Sequence, residues 1–174
     1  PDVDIIHVSG FKANGANFGN VMGAMEDIKY LAGMLAGSRA KVDGNPKLGY
    51  MATFPIPEEF RLRNAFALGV QKTCPECTID VRFINTWHDP ILEQEGAKSL
   101  FDAGAQVVMT GADTPAPALA APAGKWGITY DYVGNCTLDS CLTSMYWNWG
   151  VIYADIVDKC RAGTWKGGWE YFDG

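Results

Sequence analysis

Residues 48–84 read LGYMATFPIPEEFRLRNAFALGVQKTCPECTIDVRFI, and this stretch sets out the plan of the chain. Leu48-Gly-Tyr-Met-Ala-Thr53 is an apolar run of strand length, closed by a proline-containing turn. Pro57-Glu58-Glu59 then starts a helix, with the ring at a position that needs no N–H and the carboxylates at the positive helix end. That helix runs through Phe66 and Val70 to the Cys74-Pro-Glu-Cys77 turn, after which Ile79-Asp-Val-Arg-Phe-Ile84 reads as a second strand. Outward from here the same unit recurs between Leu48 and Trp149. Strand cores fall at Gln106-Val-Val-Met-Thr110 and Ile128-Thr-Tyr130. Asp89-Pro-Ile-Leu92 starts another helix, in which Asp89 can cap, Pro90 can take the first position, and Ala97, Leu100 and Phe101 face the sheet. Strands separated by helices pair in parallel. The fold class expected is therefore α/β, an open parallel sheet flanked by helices on both faces. Ligands of such sheets bind beyond the carboxyl ends of the strands, which singles out Phe54, Trp87, Asp113 and Asp131.

The flanking segments read less regularly. Asp4 to Ser9 reads as a short strand and Gly10 to Asn17 as a glycine- and asparagine-rich loop. From Phe18 to Ala40 the residues Val21, Met25, Ile28, Leu31, Ala32 and Leu35 recur at helical spacing, predicting one long helix that Asp43-Gly-Asn-Pro46 ends. Ala32, Gly33, Ala36 and Gly37 would let that helix pack closely. Thr114 to Ala123 predicts a short helix and Trp149 to Ala162 the last one. Gly163 to Gly174 resembles a crossover strand without a partner.

The 174 residues suit one domain with a real core, and 48% hydrophobic against 20% charged residues is ordinary for a globular chain. A formal charge of −6 with scattered lysines and arginines argues against nucleic acid, which requires a basic stripe, and against an anionic membrane surface. No apolar run approaches the roughly 20 residues that span a bilayer. Cys74 with Cys77 and Cys136 with Cys141 are close pairs in turns, suggesting local disulfides and an oxidising compartment; five reduced cysteines in a cytosolic protein is the alternative. Asn135-Cys136-Thr137 is a formal N-glycosylation acceptor that agrees with a secretory route.

No catalytic signature accompanies these elements. The Cys74–Cys77 pair lies where a helix passes into a strand, the reverse of a redox-active pair activated by a helix start. A zinc site lacks its four ligands, since only His7 and His88 are available beside it, and no metal or cofactor is expected. His88 beside Asp89 resembles part of a triad, yet no Gly-x-Ser-x-Gly elbow supplies a nucleophile. Gly15-Ala-Asn-Phe-Gly19 and Ala123-Gly-Lys-Trp126 fit neither phosphate-binding glycine pattern. Asp113 and Asp131 can act as an acid/base pair, accept hydrogen bonds from a polar ligand, or cap the following turns. Trp87 can stack on a planar ligand or pack against a facing domain.

Several motifs in order along the chain resemble one family: Gly10-Phe-Lys12 with Asn17, Tyr30-Leu-Ala-Gly-Met-Leu-Ala-Gly37, Gly49-Tyr-Met-Ala-Thr-Phe-Pro-Ile-Pro-Glu58, Asn85-Thr-Trp-His-Asp-Pro90, Asp113-Thr-Pro-Ala-Pro117, Tyr130-Asp131 and Leu142-Thr-Ser-Met-Tyr-Trp-Asn-Trp-Gly150. They look like the basic membrane protein family of ABC-transporter substrate-binding proteins, built on the type I periplasmic-binding fold. The resemblance implies two lobes joined by crossovers, closing on a purine nucleoside or nucleobase for delivery to an ABC permease. Residues 1–17 would then be the end of the N-terminal lobe and a crossover, 18–162 the C-terminal lobe, and 163–174 the return crossover. Most of the first lobe would lie upstream, so residues 1–174 alone should bind weakly. Asp131 matches the aspartate that holds sugar hydroxyls in nucleoside-binding members. Leu62 stands where those members stack an aromatic on the base, and Trp147 where they carry a lysine. Trp87-His-Asp89-Pro90 and Asp113-Thr-Pro-Ala116 match better a branch suited to a free base such as adenine, with Trp87 stacking and Asp113 accepting an N–H. The ligand-binding set implied is Phe54, Trp87, Asp89, Asp113, Asp131 and Trp147. Both cysteine pairs depart from the bacterial pattern and suit a secreted or surface protein of a eukaryote; in a bacterium the setting would be periplasmic. The alternative function is a repurposed lobe serving as an interaction module in a surface assembly, which an exposed patch of Trp126, Trp165 and Trp169 would favour.

Overall fold

The computed structural model describes residues 3–172, which form eight strands, five α-helices and one short 3-10 turn, grouped in two compact units. The larger unit, 26–146, is a five-stranded sheet of β3 (Lys47–Ala52), β4 (Thr78–Phe83), β5 (Val107–Thr110), β6 (Trp126–Asp131) and β7 (Cys141–Tyr146). Their spatial order is β4-β3-β5-β6-β7, and every pairing is parallel. The order reverses between β3 and β5. The carboxyl ends of strands at such a reversal are the place where doubly wound sheets hold ligands.

Helices cover both faces, as the repeat predicts. Strand residues alternate between faces, so Tyr50 packs edge-on against Phe66 of α2 (Pro57–Thr73), whereas Met51 joins Ala97, Leu100 and Phe101 of α3 (Pro90–Asp102). The short α4 (Ala116–Ala120) completes that second layer through Ala116. On the first face α1 (Met25–Val42) crosses α2 with almost no separation. A Cβ at Gly33 would strike the carbonyl of Phe66, and one at Gly69 the carbonyl of Tyr30, so both positions require glycine. Helix starts follow their local code: Pro57 opens α2, and Asp89 caps α3 by accepting from the backbone N–H groups of Ile91 at 3.0 Å and Leu92 at 3.1 Å.

The smaller unit, 1–25 with 147–174, is a parallel three-stranded sheet in the order β1-β2-β8: Ile5–Val8, Phe18–Gly23 and Trp169–Phe172. Its core is Val21, Ile152, Ile156 and Trp165, with α5 (Trp149–Arg161) supplying the two isoleucines. Two expectations change here. Phe18–Gly23 is a strand and not the start of the long helix, which begins at Met25; Val21 suits either period, and pairing on both sides decides for the strand. The tail strand has a partner, since Trp169–Phe172 pairs with Asn20–Gly23. The two compact units divide at 25/26 and 146/147, with α5 packed on the small sheet. Residues 173 and 174 of the tail lie outside the described residues.

Both cysteine pairs are disulfides, Cys74–Cys77 and Cys136–Cys141, leaving Cys160 as a free, half-buried thiol. Among the described residues no helix is long and apolar enough to cross a membrane.

Candidate functional site

Five of the six implied ligand residues lie in the larger unit, past the carboxyl ends of its strands. Phe54 follows β3 and Trp87 follows β4, and their rings meet at a centroid distance of 5.2 Å with planes tilted by 54°. Trp87 remains 52% exposed despite that contact. Asp113 follows β5 on an exposed turn, and Asp131 ends β6 with φ of 71°, a left-handed backbone that a side chain adopts only at some cost.

The carboxylates are electrostatically coupled. Asp113 is raised to about 6, first by desolvation among its neighbours and then by the like charge of Asp131, with Lys29 opposing both. Burial also raises Asp131, again against Lys29. Solvent at Asp113 screens these charges, so the consequence for stability is modest.

Beneath the two aspartates lies a buried layer that the sequence reading missed. Lys29 of α1 is completely enclosed; its Nζ donates to the Thr110 carbonyl at 3.0 Å and lies 4.1 Å from the Tyr130 ring centroid and 5.6 Å from that of Tyr50. Desolvation pulls its pKa down to about 7, while Glu59, Asp113 and Asp131 hold it up. Glu59 of α2 is 3% exposed and accepts from the Thr53 N–H at 3.3 Å. Its pKa is raised by burial, with Lys29 as the chief opposing charge. A Cβ at Gly111 would press on both Glu59 oxygens at 2.6 Å, so any larger residue there would displace the buried carboxylate. Tyr50 is also enclosed, its hydroxyl unpaired and held protonated by burial and by Glu59. Lys29 reads as a polar position of a helix and Glu59 as an acidic residue of a helix start, so the sequence carried no signal of their burial.

The remaining expectations fare differently. The Asp89 carboxylate is engaged in capping α3, and its backbone N–H donates to Glu93 Oε1 at 2.9 Å, so it serves the helix start. Trp147 belongs to the smaller unit, stacked on Trp149 at 4.6 Å, with Tyr153 next in the ladder at 5.9 Å. Leu62 is a core residue of α2 at 3% exposure, which explains an aliphatic side chain there. The Asn135 amide donates to the Tyr130 carbonyl at 3.0 Å, so in the folded chain the glycosylation nitrogen is already engaged. Trp126, Trp165 and Trp169 form no common exposed patch: Trp165 is core, and Trp126 donates to Asp43 at 3.0 Å beneath Arg39. An open groove of about 490 Å³ near Ala118, Trp126 and Leu138 lies at the amino end of β6, away from the aspartates. Among the described residues no group of three or more His, Cys, Asp or Glu could hold a metal.

A doubly wound parallel sheet flanked by helices is the architecture of a lobe of the periplasmic-binding type. The chain belongs to the Bmp family: residues 1–173 match the model of PnrA-like ABC transporter substrate-binding proteins. It is 36% identical to a putative ABC transporter glucose-binding protein of Haloferax volcanii and 31% identical to a purine-binding protein of Brucella abortus, each over 95% of this chain. It covers 42% and 47% of those two proteins, less than half of either. Among solved structures, a solute-binding protein of Aeropyrum pernix K1 matches with a TM-score of 0.80 at 15% identity, over 98% of this chain and 51% of that one. A transcriptional activator of the comK gene from Bacillus halodurans gives 0.82 at 22% identity, over 99% of this chain and 60% of that one. These two likenesses are of fold.

Proposed function

We propose that this chain forms part of a non-enzymatic solute-binding protein that holds a small planar purine-like ligand, a nucleobase in preference to a nucleoside, and passes it to an ABC permease outside the cytoplasmic membrane. One observation carries the reading: Trp87 stands 52% exposed after β4, at the same carboxyl end of the sheet as Asp113, which follows β5, and Asp131, which ends β6. A flat heterocycle would cover the indole and give N–H groups to Asp113 and Asp131, and stacking of this kind contributes roughly 1 to 3 kcal/mol. The purine-binding relative supports this ligand class. The glucose-binding relative makes a sugar the competitor, because carboxylates beside an indole also suit hydroxyls.

Calorimetric titration of the full-length protein with adenine, guanine, adenosine, guanosine and glucose tests the reading. Adenine or guanine binding, abolished by Asp131→Ala without loss of folding, supports it. Binding of glucose alone replaces the purine with a sugar. A protein that ignores all five and co-purifies with other proteins is the interaction module instead.

A further inference from the structure

The ammonium sealed beneath the two aspartates has no part in the ligand contacts just described, yet it touches the root of each. Lys29 Nζ binds the carbonyl of Thr110, the residue that opens the turn to Asp113. The same Nζ lies on the ring of Tyr130, the residue before Asp131. Burying a lysine is costly, and a methionine would fill the same space without the penalty.

We propose that Lys29 is a positioning residue of the ligand site: its buried ammonium keeps Asp113 and Asp131 together as a carboxylate pair, which restricts the site to neutral or cationic ligands that present N–H or O–H donors. The inference rests on the site assigned under the proposed function and adds a rule of selection to it. The charge of Asp131 raises Asp113 and so resists the ionisation of both carboxylates together. A cation fixed below them lowers the energy of the doubly ionised state without occupying the ligand's place. The groups facing Lys29 are Glu59 from α2, Tyr50 from β3, Asp113 after β5, and Tyr130 and Asp131 from β6; Glu93 and His88 also act on Asp113. With one ammonium against the carboxylates of Glu59, Asp113 and Asp131, the ionised cluster carries excess negative charge. An anionic solute meets like charge there, whereas a donor meets paired acceptors.

Once Asp113 is protonated it becomes a hydroxyl donor facing the ligand's own donor. Affinity of the full-length protein for adenine should therefore fall up to about tenfold per pH unit below a midpoint near 6. In Lys29→Met/Glu59→Gln, which removes both buried charges and orphans neither, the midpoint should move up, weakening binding at pH 6.5 by about threefold or more while pH 8 affinity is kept. A loss by the same factor at every pH makes Lys29 structural only and overturns the proposal. So does adenosine monophosphate binding as tightly as adenosine at pH 8. If adenine does not bind, or the double variant does not fold, the ligand-free protein decides. The carboxyl carbon resonance of Asp113 should titrate in two steps, its own near 6 and a smaller one near 7 as Lys29 discharges. A single step overturns the coupling whatever the ligand proves to be.

Discussion

The two ends of the five-stranded sheet handle charge in opposite ways. At the amino end Asp43 is saturated: it accepts from Arg39 Nε at 2.9 Å, Gln106 Nε2 at 2.7 Å and Trp126 Nε1 at 3.0 Å, tying α1 to β6 and to the residue before β5. At the carboxyl end Asp113 and Asp131 both have raised pKa values, Asp131 holds a left-handed backbone, and an enclosed Tyr50 hydroxyl lacks a partner. Satisfied polar groups lower the free energy of the fold, and unsatisfied ones persist where something other than folding needs them. The contrast marks one end as architecture and supports the other as the proposed site.

The largest effect should come from the amino end. Asp43→Ala removes three hydrogen-bond partners at once and should cost about 3 kcal/mol in urea denaturation, with ligand affinity unchanged. A variant that loses affinity instead would erase the distinction. Trp87→Ala should do the reverse, lowering adenine affinity by about 2 kcal/mol in calorimetry while stability stays within about 0.5 kcal/mol. Asp131→Gly sharpens the contrast further. It relieves the left-handed backbone and should raise stability by about 1 kcal/mol while removing a ligand acceptor; a destabilised Asp131→Gly would show that the conformation is not strained.

The smallest effect is in pH. Asp113 has a folded pKa near 6, above its ordinary value of 3.8, so the folded chain binds this proton more tightly than the unfolded one. Its contribution to stability is present in full below the unfolded value and is lost as pH rises through about 6. Asp113→Asn should flatten that stretch of a stability-against-pH curve measured by thermal unfolding. An unchanged slope would place the titrating group elsewhere.

Much of the framework was legible because its signals are local. The helix starts at Pro57 and Asp89-Pro90 depend on residues three or four apart, and the disulfides span separations of 3 and 5. Strand-end counting put Phe54 and Trp87 after successive strands, and the parallel pairing of β3 with β4 brings their rings together. Two features had two local readings each. Phe18–Gly23 carries apolar residues compatible with either period and becomes a strand by pairing with β1 and β8. Asp89 could cap or bind, and the nearby N–H groups of Ile91 and Leu92 favour the cap.

By itself the sequence determined the order of strands and helices, the family, the two disulfides and the aromatic and acidic residues at the strand ends, all encoded over short spans by periodicity, capping and spacing. Tertiary structure alone decided that Lys29 and Glu59 are enclosed. Lys29 reads as an ordinary polar helix position, and its burial appears only when α1 lies over the ends of β3, β5 and β6, bringing its ammonium to a carbonyl 81 residues away. Charge coupling acts through space and takes its strength from desolvation, so no spacing along the chain could have announced it.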